Sequence, residues 1–162
     1  MTNRRFTISV YLIVLVTLAD QMSKWIITRF VITEPGSVVP VNAILNLVMV
    51  ENRGVTFGLF NRLNPAWAPY FLLAVAAAIL FLLGRWLWRT TSAPIAIALG
   101  FIIGGALGNM IDRLRFGAVI DFIDFYVRLG AREHHWPAFN VADSAIVMGV
   151  ALLLLDGLVR KR

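Results

Sequence analysis

Four stretches of this chain are long and apolar enough to cross a bilayer: about Ile8–Ile27, Trp67–Leu87, Pro94–Ile111 and Val141–Val159. Backbone in hydrocarbon must satisfy its own N–H and C=O groups, and roughly 20 residues of helix do so across one bilayer. The composition agrees: 59% of the 162 residues are hydrophobic and 15% charged, against roughly half and a quarter in a soluble domain. The expected fold is an all-α integral membrane bundle of four transmembrane helices, with residues 1–162 forming one domain.

An even number of spans puts both termini on one side. Arg4-Arg5, Arg85 with Arg89, and Arg160-Lys-Arg162 crowd the two tails and the tight loop. These segments are therefore expected to be cytoplasmic. The two long loops, about Phe30–Pro65 and Leu114–Pro137, then lie outside, where their basic residues are mixed with acids. The net charge of +6 accordingly reads as orientation and not as nucleic-acid binding. Trp67 and Tyr70 at one end of the second span, and Trp86 and Trp88 at the other, suit the two interfaces. Arg4-Arg5 followed by an apolar run and Thr17-Leu-Ala19 imitates a cleavable signal sequence. The apolar character resumes at Trp25-Ile-Ile27, however, so an uncleaved first helix is expected.

Long ordered loops in a compact fold are usually functional. Ser37-Val-Val-Pro-Val41 and Leu45-Asn-Leu-Val-Met-Val50 read as short strands, with Pro40 confining its strand to an edge. They predict a small β-rich extracytoplasmic sheet between helices 1 and 2, its apolar face on lipid or on the helix ends. Arg128–His135 reads as an exposed turn.

The polar residues embedded in apolar sequence carry the chemistry. Ala96, Gly100, Gly104 and Gly108 recur every fourth residue, a stripe that lets another helix approach closely; Asp112 continues the row. Asn109, Asp112 and Arg113 follow where this span ends, and pairing of Asp112 with Arg113 or a loop is the plain structural explanation. Asp20 and Lys24 have the spacing and order of a helical ion pair. Asn140 and Asp143 have the spacing of an N-cap and its N3 carboxylate. With alternating spans all of these fall at the outer boundary, and Asn52 and Asp121 lie in the outer loops. Such convergence exceeds what packing requires.

The available chemistry is narrow. There is no cysteine, and neither histidine lies in a span. His134-His135 with Glu133 sits in a charged segment without a His-Glu-x-x-His helix, so it reads as solvated and no metal is expected. Two carboxylates remain, Asp121 and Asp143. Carboxylates held close together share a proton, so one can activate water while the other donates, with no cofactor.

At these residues the chain resembles the lipoprotein signal peptidase (signal peptidase II) family. The resemblance rests on Asp20-Gln-Met-Ser-Lys24, Asn52-Arg-Gly-Val-Thr-Phe57, Gly104-Gly-Ala-Leu-Gly-Asn-Met-Ile-Asp-Arg113, Val119-Ile-Asp-Phe122 and Phe139-Asn-Val-Ala-Asp143, in that order. It implies a four-helix aspartyl protease of the bacterial inner membrane that removes signal peptides from prolipoproteins. The cut falls just before a cysteine already carrying diacylglycerol. Asp121 and Asp143 match the catalytic pair, while Asp20, Asn52, Asn109, Arg113 and Asn140 match polar residues lining the site. Lys24, Gly54 and Asp112 stand in the same motifs and are grouped with them as site-shaping. The implied partners are lipidated prolipoproteins and membrane lipid, with no nucleic acid, and the chain is expected to be a monomer. Val55-Thr56 departs from the small Ala-Ala pair common after the glycine of the second motif. A proton-coupled transporter using the same carboxylates as a relay, or a non-catalytic membrane scaffold, are the competing classes. Charges gathered on one face and not along a pathway disfavour the transporter.

Overall fold

The computed structural model describes residues 4–32, 36–54, 68–130 and 132–160. In chain order these form α1 (Arg4–Ile26) running into one π-helical turn (Ile27–Val31), β1 (Val39–Asn42), β2 (Leu45–Asn52) and α2 (Ala68–Arg89). There follow α3 (Ala93–Phe116), β3 (Val119–Leu129), β4 (Arg132–His135) and α4 (Val141–Arg160). Four helices among the described residues are long and apolar enough to cross a membrane.

The third helix is the centre of the bundle, with more than half of its apolar window buried against less than a fifth in each of the others. Its glycines explain why. A Cβ at Gly104 would meet Val16 Cβ at 2.9 Å, and one at Gly108 would meet Asp20 Oδ2 at 2.5 Å, so the stripe admits α1. One position round the helix, a Cβ at Gly105 would strike the Ala142 carbonyl and Ile146 of α4. The α1–α3 contact is parallel and polar at intervals. Ser9 Oγ donates to Ala96 O at 2.7 Å, Thr17 Oγ1 to Gly104 O at 3.0 Å, and Gln21 Nε2 to Gly108 O at 3.2 Å. Each donor thus reaches the carbonyl 87 positions on, a constant register. Helix α2 joins through Leu80, Leu83 and Leu87, packed with Ala96, Leu99 and Ile103. At the same end Trp88 meets Phe6 edge to face at 5.5 Å. Large side chains such as Leu15, Phe81 and Leu155 point outward and stay exposed, a surface suited to hydrocarbon.

Two expectations about boundaries are corrected. Helix α3 does not stop at Ile111 but runs to Phe116, where Gly117 takes a left-handed φ of 70° and donates its N–H to Arg113 O. Asp112 and Arg113 are therefore helical, and their side chains are aimed by the helix and not by a loop. The sheet is also larger than expected and does not belong to the first connection alone. It is antiparallel with order β1-β2-β3-β4, so the segment between α3 and α4 supplies two of its strands. Arg128–His135 is not a turn. Strand β3 continues to Leu129, turns at Gly130 (φ 64°) and pairs back through β4, from Leu129 with Arg132 to Tyr126 with His135. All four β4 residues are exposed, and charge on an edge strand blocks further pairing while hiding the strand's signature. Pro40 lies on β1, the other edge, opposite Asn46.

The sheet is seated on the far end of the bundle from Phe6 and Trp88. Ile27, Ile32 and Phe122 form its core, with Val39, Leu47, Met49 and Val141 packed around them. That core fixes β3 against the end of α1 and the start of α4. Trp67 and Val55-Thr56 lie outside the described residues.

Candidate active site

The site is built outward from the first turn of α4. Asn140 Oδ1 accepts the backbone N–H of Asp143 at 2.9 Å, and Asp143 Oδ2 accepts the backbone N–H of Asn140 at 3.2 Å. This is a reciprocal capping box, and it locks both side chains. The Asn140 amide is then free to reach across to β3, donating to Asp121 Oδ1 at 2.7 Å. It also lies 3.2 Å from Asn109 Oδ1 and 3.3 Å from Ile120 O. From α3, Asn109 Nδ2 donates to Asp143 Oδ1 at 2.8 Å. From β2, Asn52 Nδ2 donates to Asp121 Oδ2 at 3.0 Å, while Asn52 Oδ1 accepts the N–H of Gly54, whose φ of 82° makes that tight return possible. Three asparagines from three elements thus hold two aspartates.

Asp121 is only 2% exposed. Burial pushes its carboxyl up to about 6, and the charge of Asp143 adds to the rise. The hydrogen bonds from Asn52 and Asn140 and the charge of Lys24 oppose it.

Behind the aspartates lies a second, fully buried layer. Lys24 Nζ contacts Asp20 Oδ2 at 2.8 Å, Asp112 Oδ2 at 2.6 Å and Asn109 Oδ1 at 3.2 Å. Asp20 Oδ1 accepts the backbone N–H of Ala142 at 3.0 Å, in the first turn of α4, where a carboxylate complements the helix dipole. Asp112 Oδ2 accepts the backbone N–H of Ile120 at 3.2 Å, so it places the residue just before Asp121. Asp112 therefore pairs with Lys24 and not with Arg113. The reason is rotation: Asp112 continues the glycine stripe toward α1, and the next residue is turned about 100° away. Arg113 forms no ion pair among the described residues, and its charge is felt at longer range by Asp143, Asp121 and Asp112. Its Nη1 lies 3.4 Å from Asn109 O, and its buried Nε has no hydrogen-bond partner among the described residues.

Asp20, Lys24, Asn52, Asn109, Asp112, Asp121, Asn140 and Asp143 all fall in one connected network; Gly54 enters through its N–H and Arg113 borders it. One further participant carries no signal in spacing alone. Gln21 donates to Asp112 Oδ1 at 2.8 Å. Asp124, three residues further along β3, lies outside this network and has a basic partner of its own. It is 6% exposed and accepts from Asn46 Nδ2 at 3.1 Å and from His135 Nδ1 at 2.9 Å, whereas Arg128 pairs with Glu133. Only the register that sets Asn46 opposite Asp124 reveals this. Among the described residues no three His, Cys, Asp or Glu side chains group closely enough to hold a metal ion.

A groove of about 470 Å³ opens onto Asp143, lined by Trp136, Phe139, Ser144, Val147 and Met148. It is apolar apart from the carboxylate and one hydroxyl. A carboxylate pair at the end of such a groove can hold one proton and one negative charge between them.

The family profile described as signal peptidase (SPase) II matches residues 12–159, which takes in every residue of the network. The chain belongs to the signal peptidase II family. Among curated relatives, the lipoprotein signal peptidase of Rhodopseudomonas palustris (strain TIE-1) is 42% identical over 141 residues, 86% of this chain and 85% of that one. The lipoprotein signal peptidase of Nitratidesulfovibrio vulgaris (strain DP4) is 39% identical over 153 residues, 94% of this chain and 90% of that one. A bacterial membrane enzyme solved by the in meso method at 1.9 Å superposes with a TM-score of 0.78 at 30% identity, covering 94% of this chain and 93% of the other. The family match runs from within α1 to near the end of α4, and the structural match covers nearly the whole chain.

Proposed function

We propose that this chain is a membrane aspartyl endopeptidase that removes signal peptides from prolipoproteins, cutting just before the diacylglyceryl-modified cysteine. The observation that carries the mechanism is Asn140, whose one side chain is bonded to both Asp121 and Asp143. Asp121, with its raised pKa, holds the shared proton, and Asp143, at the positive end of a helix, holds the charge. Asp143 takes a proton from water as the oxygen attacks the scissile carbonyl. Asp121 gives its proton to the carbonyl oxygen, forming a gem-diol. On collapse the C–N bond breaks, the nitrogen takes the proton that Asp143 had gained, and a diol hydroxyl returns its proton to Asp121. Asn109, Asn52 and Asn140 keep the carboxylates oriented throughout, and Arg113 supplies positive charge near them.

The location of the site suits a lipidated peptide. The aspartates lie where the sheet meets the helix ends; the crowding of arginines in the tails and the short loop supports an outer-face site in a bacterial inner membrane, with both termini cytoplasmic. Acyl chains then stay in the outer leaflet while the scissile bond reaches the pair. The chain acts as a monomer and needs no cofactor. The test is cleavage of a diacylglyceryl prolipoprotein by the pure protein in detergent. Activity is expected to survive EDTA and serine- or thiol-directed reagents, and to vanish in both Asp121→Asn and Asp143→Asn. Loss in EDTA with recovery on adding zinc would overturn the mechanism.

A further inference from the structure

The β3–β4 hairpin holds a cluster that the two aspartates do not use. His135, the last residue of β4, stands between two carboxylates. Its Nδ1 is 2.9 Å from both oxygens of buried Asp124 on β3, and its Nε2 is 3.7 Å from Glu133 Oε2 on β4. Tyr126 of β3 stacks on the ring, with centroids 5.5 Å apart and planes at 20°. The other groups around it are accounted for. Asn46 of β2 donates to Asp124, Arg128 of β3 is bonded to Glu133, and His134 and Arg132 are its exposed neighbours along β4. A neutral imidazole has one N–H, so it can serve only one of the two carboxylates; the other then faces a lone pair. The imidazolium serves both. The Asp124 hydrogen bond pushes the pKa of His135 above its ordinary value, with the charges of Asp124 and Glu133 adding and partial desolvation opposing.

What this cluster holds is the wall of the groove. The residue after His135 is Trp136, whose N–H donates to Phe125 O at 2.7 Å, and Phe139 is bonded to β3 through Ile123 in both directions, at 2.8 and 3.1 Å. Both rings line the groove that opens onto Asp143, and Phe139 leads directly into Asn140. We infer that His135, clamped as an imidazolium between Asp124 and Glu133, is a positioning residue that keeps the Trp136–Phe139 wall in place for substrate. The inference rests on the peptidase reading above. It makes the clamp act on substrate engagement, while Asp121 and Asp143 govern turnover.

The experiment measures KM and kcat against pH from 5.5 to 9 for the wild type, His135→Gln, His135→Arg and Asp124→Asn, using a diacylglyceryl prolipoprotein in detergent. Intrinsic fluorescence of Trp136, taken as the difference from Trp136→Phe, is followed over the same range. The clamp is complete below about pH 6.5, the ordinary histidine value, and is lost as pH rises through the higher value in the folded protein. The wild-type KM should therefore be flat in acid and climb about tenfold at alkaline pH, with the Trp136 signal changing alongside. His135→Gln and Asp124→Asn should show the high KM at every pH with kcat little changed. His135→Arg, permanently charged, should hold a low KM at alkaline pH. A wild-type KM and Trp136 signal that stay flat to pH 9 would overturn the inference even if every variant failed to fold. So would a His135→Gln profile like the wild type, or a loss confined to kcat. If folded wild type cleaves nothing, the peptidase reading fails instead, and the Trp136 titration in wild type against His135→Gln still decides the clamp.

Discussion

Asn140 donates to Asp121 Oδ1 at 2.7 Å with the same side chain whose oxygen receives the N–H of Asp143 at 2.9 Å. One residue thus caps a helix and sets the distance between two carboxylates on different elements. The cap is part of the site, because a side chain fixed by the capping box cannot swing its amide away from Asp121. Structural and chemical roles that compete when read from spacing alone are here one arrangement.

Asn140 can therefore be split into its two functions. Asn140→Ala should cost about 1 kcal/mol of stability through the lost cap and roughly 10–100-fold in kcat through the lost carboxylate partner. Asn140→Ser keeps a cap acceptor and has no amide, so it should recover the stability and leave kcat low. Thermal unfolding in detergent beside single-substrate kinetics checks both. A serine variant of normal turnover would reduce Asn140 to a cap.

Asp121 predicts the pH dependence. With its carboxyl raised to about 6, the singly protonated pair is present up to about that pH and is lost above it, giving kcat an alkaline limb there. The Asn52 hydrogen bond favours ionised Asp121, so Asn52→Ala should move the limb to higher pH while lowering the plateau. The Asp143 charge raises the same carboxyl. The two effects have opposite signs, and a limb that moved downward in Asn52→Ala would mean that another group titrates.

How much of this was legible in the sequence follows from where each signal is stored. Helices α1 to α4 are written in apolar length, and the α1–α3 approach in the glycine row that ends on Asp112. The capping box is local and readable from two residues. Asp112 with Lys24 was not readable, because spacing along one helix says nothing about the face a neighbouring helix presents. Strand β4 was hidden by its charges, and the Asp124–His135 contact by its dependence on a hairpin register. Residues 55–67, which carry the Val55-Thr56 departure, lie outside the described structure.

Lys24 is the sole cation between Asp20 and Asp112 in the ion pairs described here. Lys24→Met should leave two buried carboxylates without it and cost about 3–5 kcal/mol, seen as a large drop in folded yield and Tm. Adding Asp20→Asn and Asp112→Asn to that variant should restore much of the loss. If Lys24→Met folds normally, the buried layer does not hold the bundle together.

Two aspartates on β3 stand three residues apart and have different partners. Asp121 is bonded to Asn52 and Asn140, and Asp124 to Asn46 and His135. Asp121→Asn should fold and cleave nothing, whereas Asp124→Asn should keep its kcat. Folded protein with the opposite pattern would reassign the catalytic carboxylate.

Among the described residues, Arg113 is the buried side chain with a polar atom left without a partner. It sits one position past Asp112, beside both aspartates, with a buried Nε that no described residue accepts and an Nη1 only 3.4 Å from Asn109 O. A guanidinium used to hold the fold would spend its donors on the protein, so a buried N–H left without a partner calls for another role. Arg113→Ala should lower kcat on the order of 10²-fold, the usual cost of one donor to developing charge, with folded yield close to wild type. Arg113→Lys separates charge from direction, because lysine restores the cation but not the planar fork. It should recover little of the lost turnover if Nε meets a substrate carbonyl, and most of it if the positive charge alone matters. Should Arg113→Ala fail to fold while its folded fraction turns over normally, the residue braces Asn109 and takes no part in the reaction.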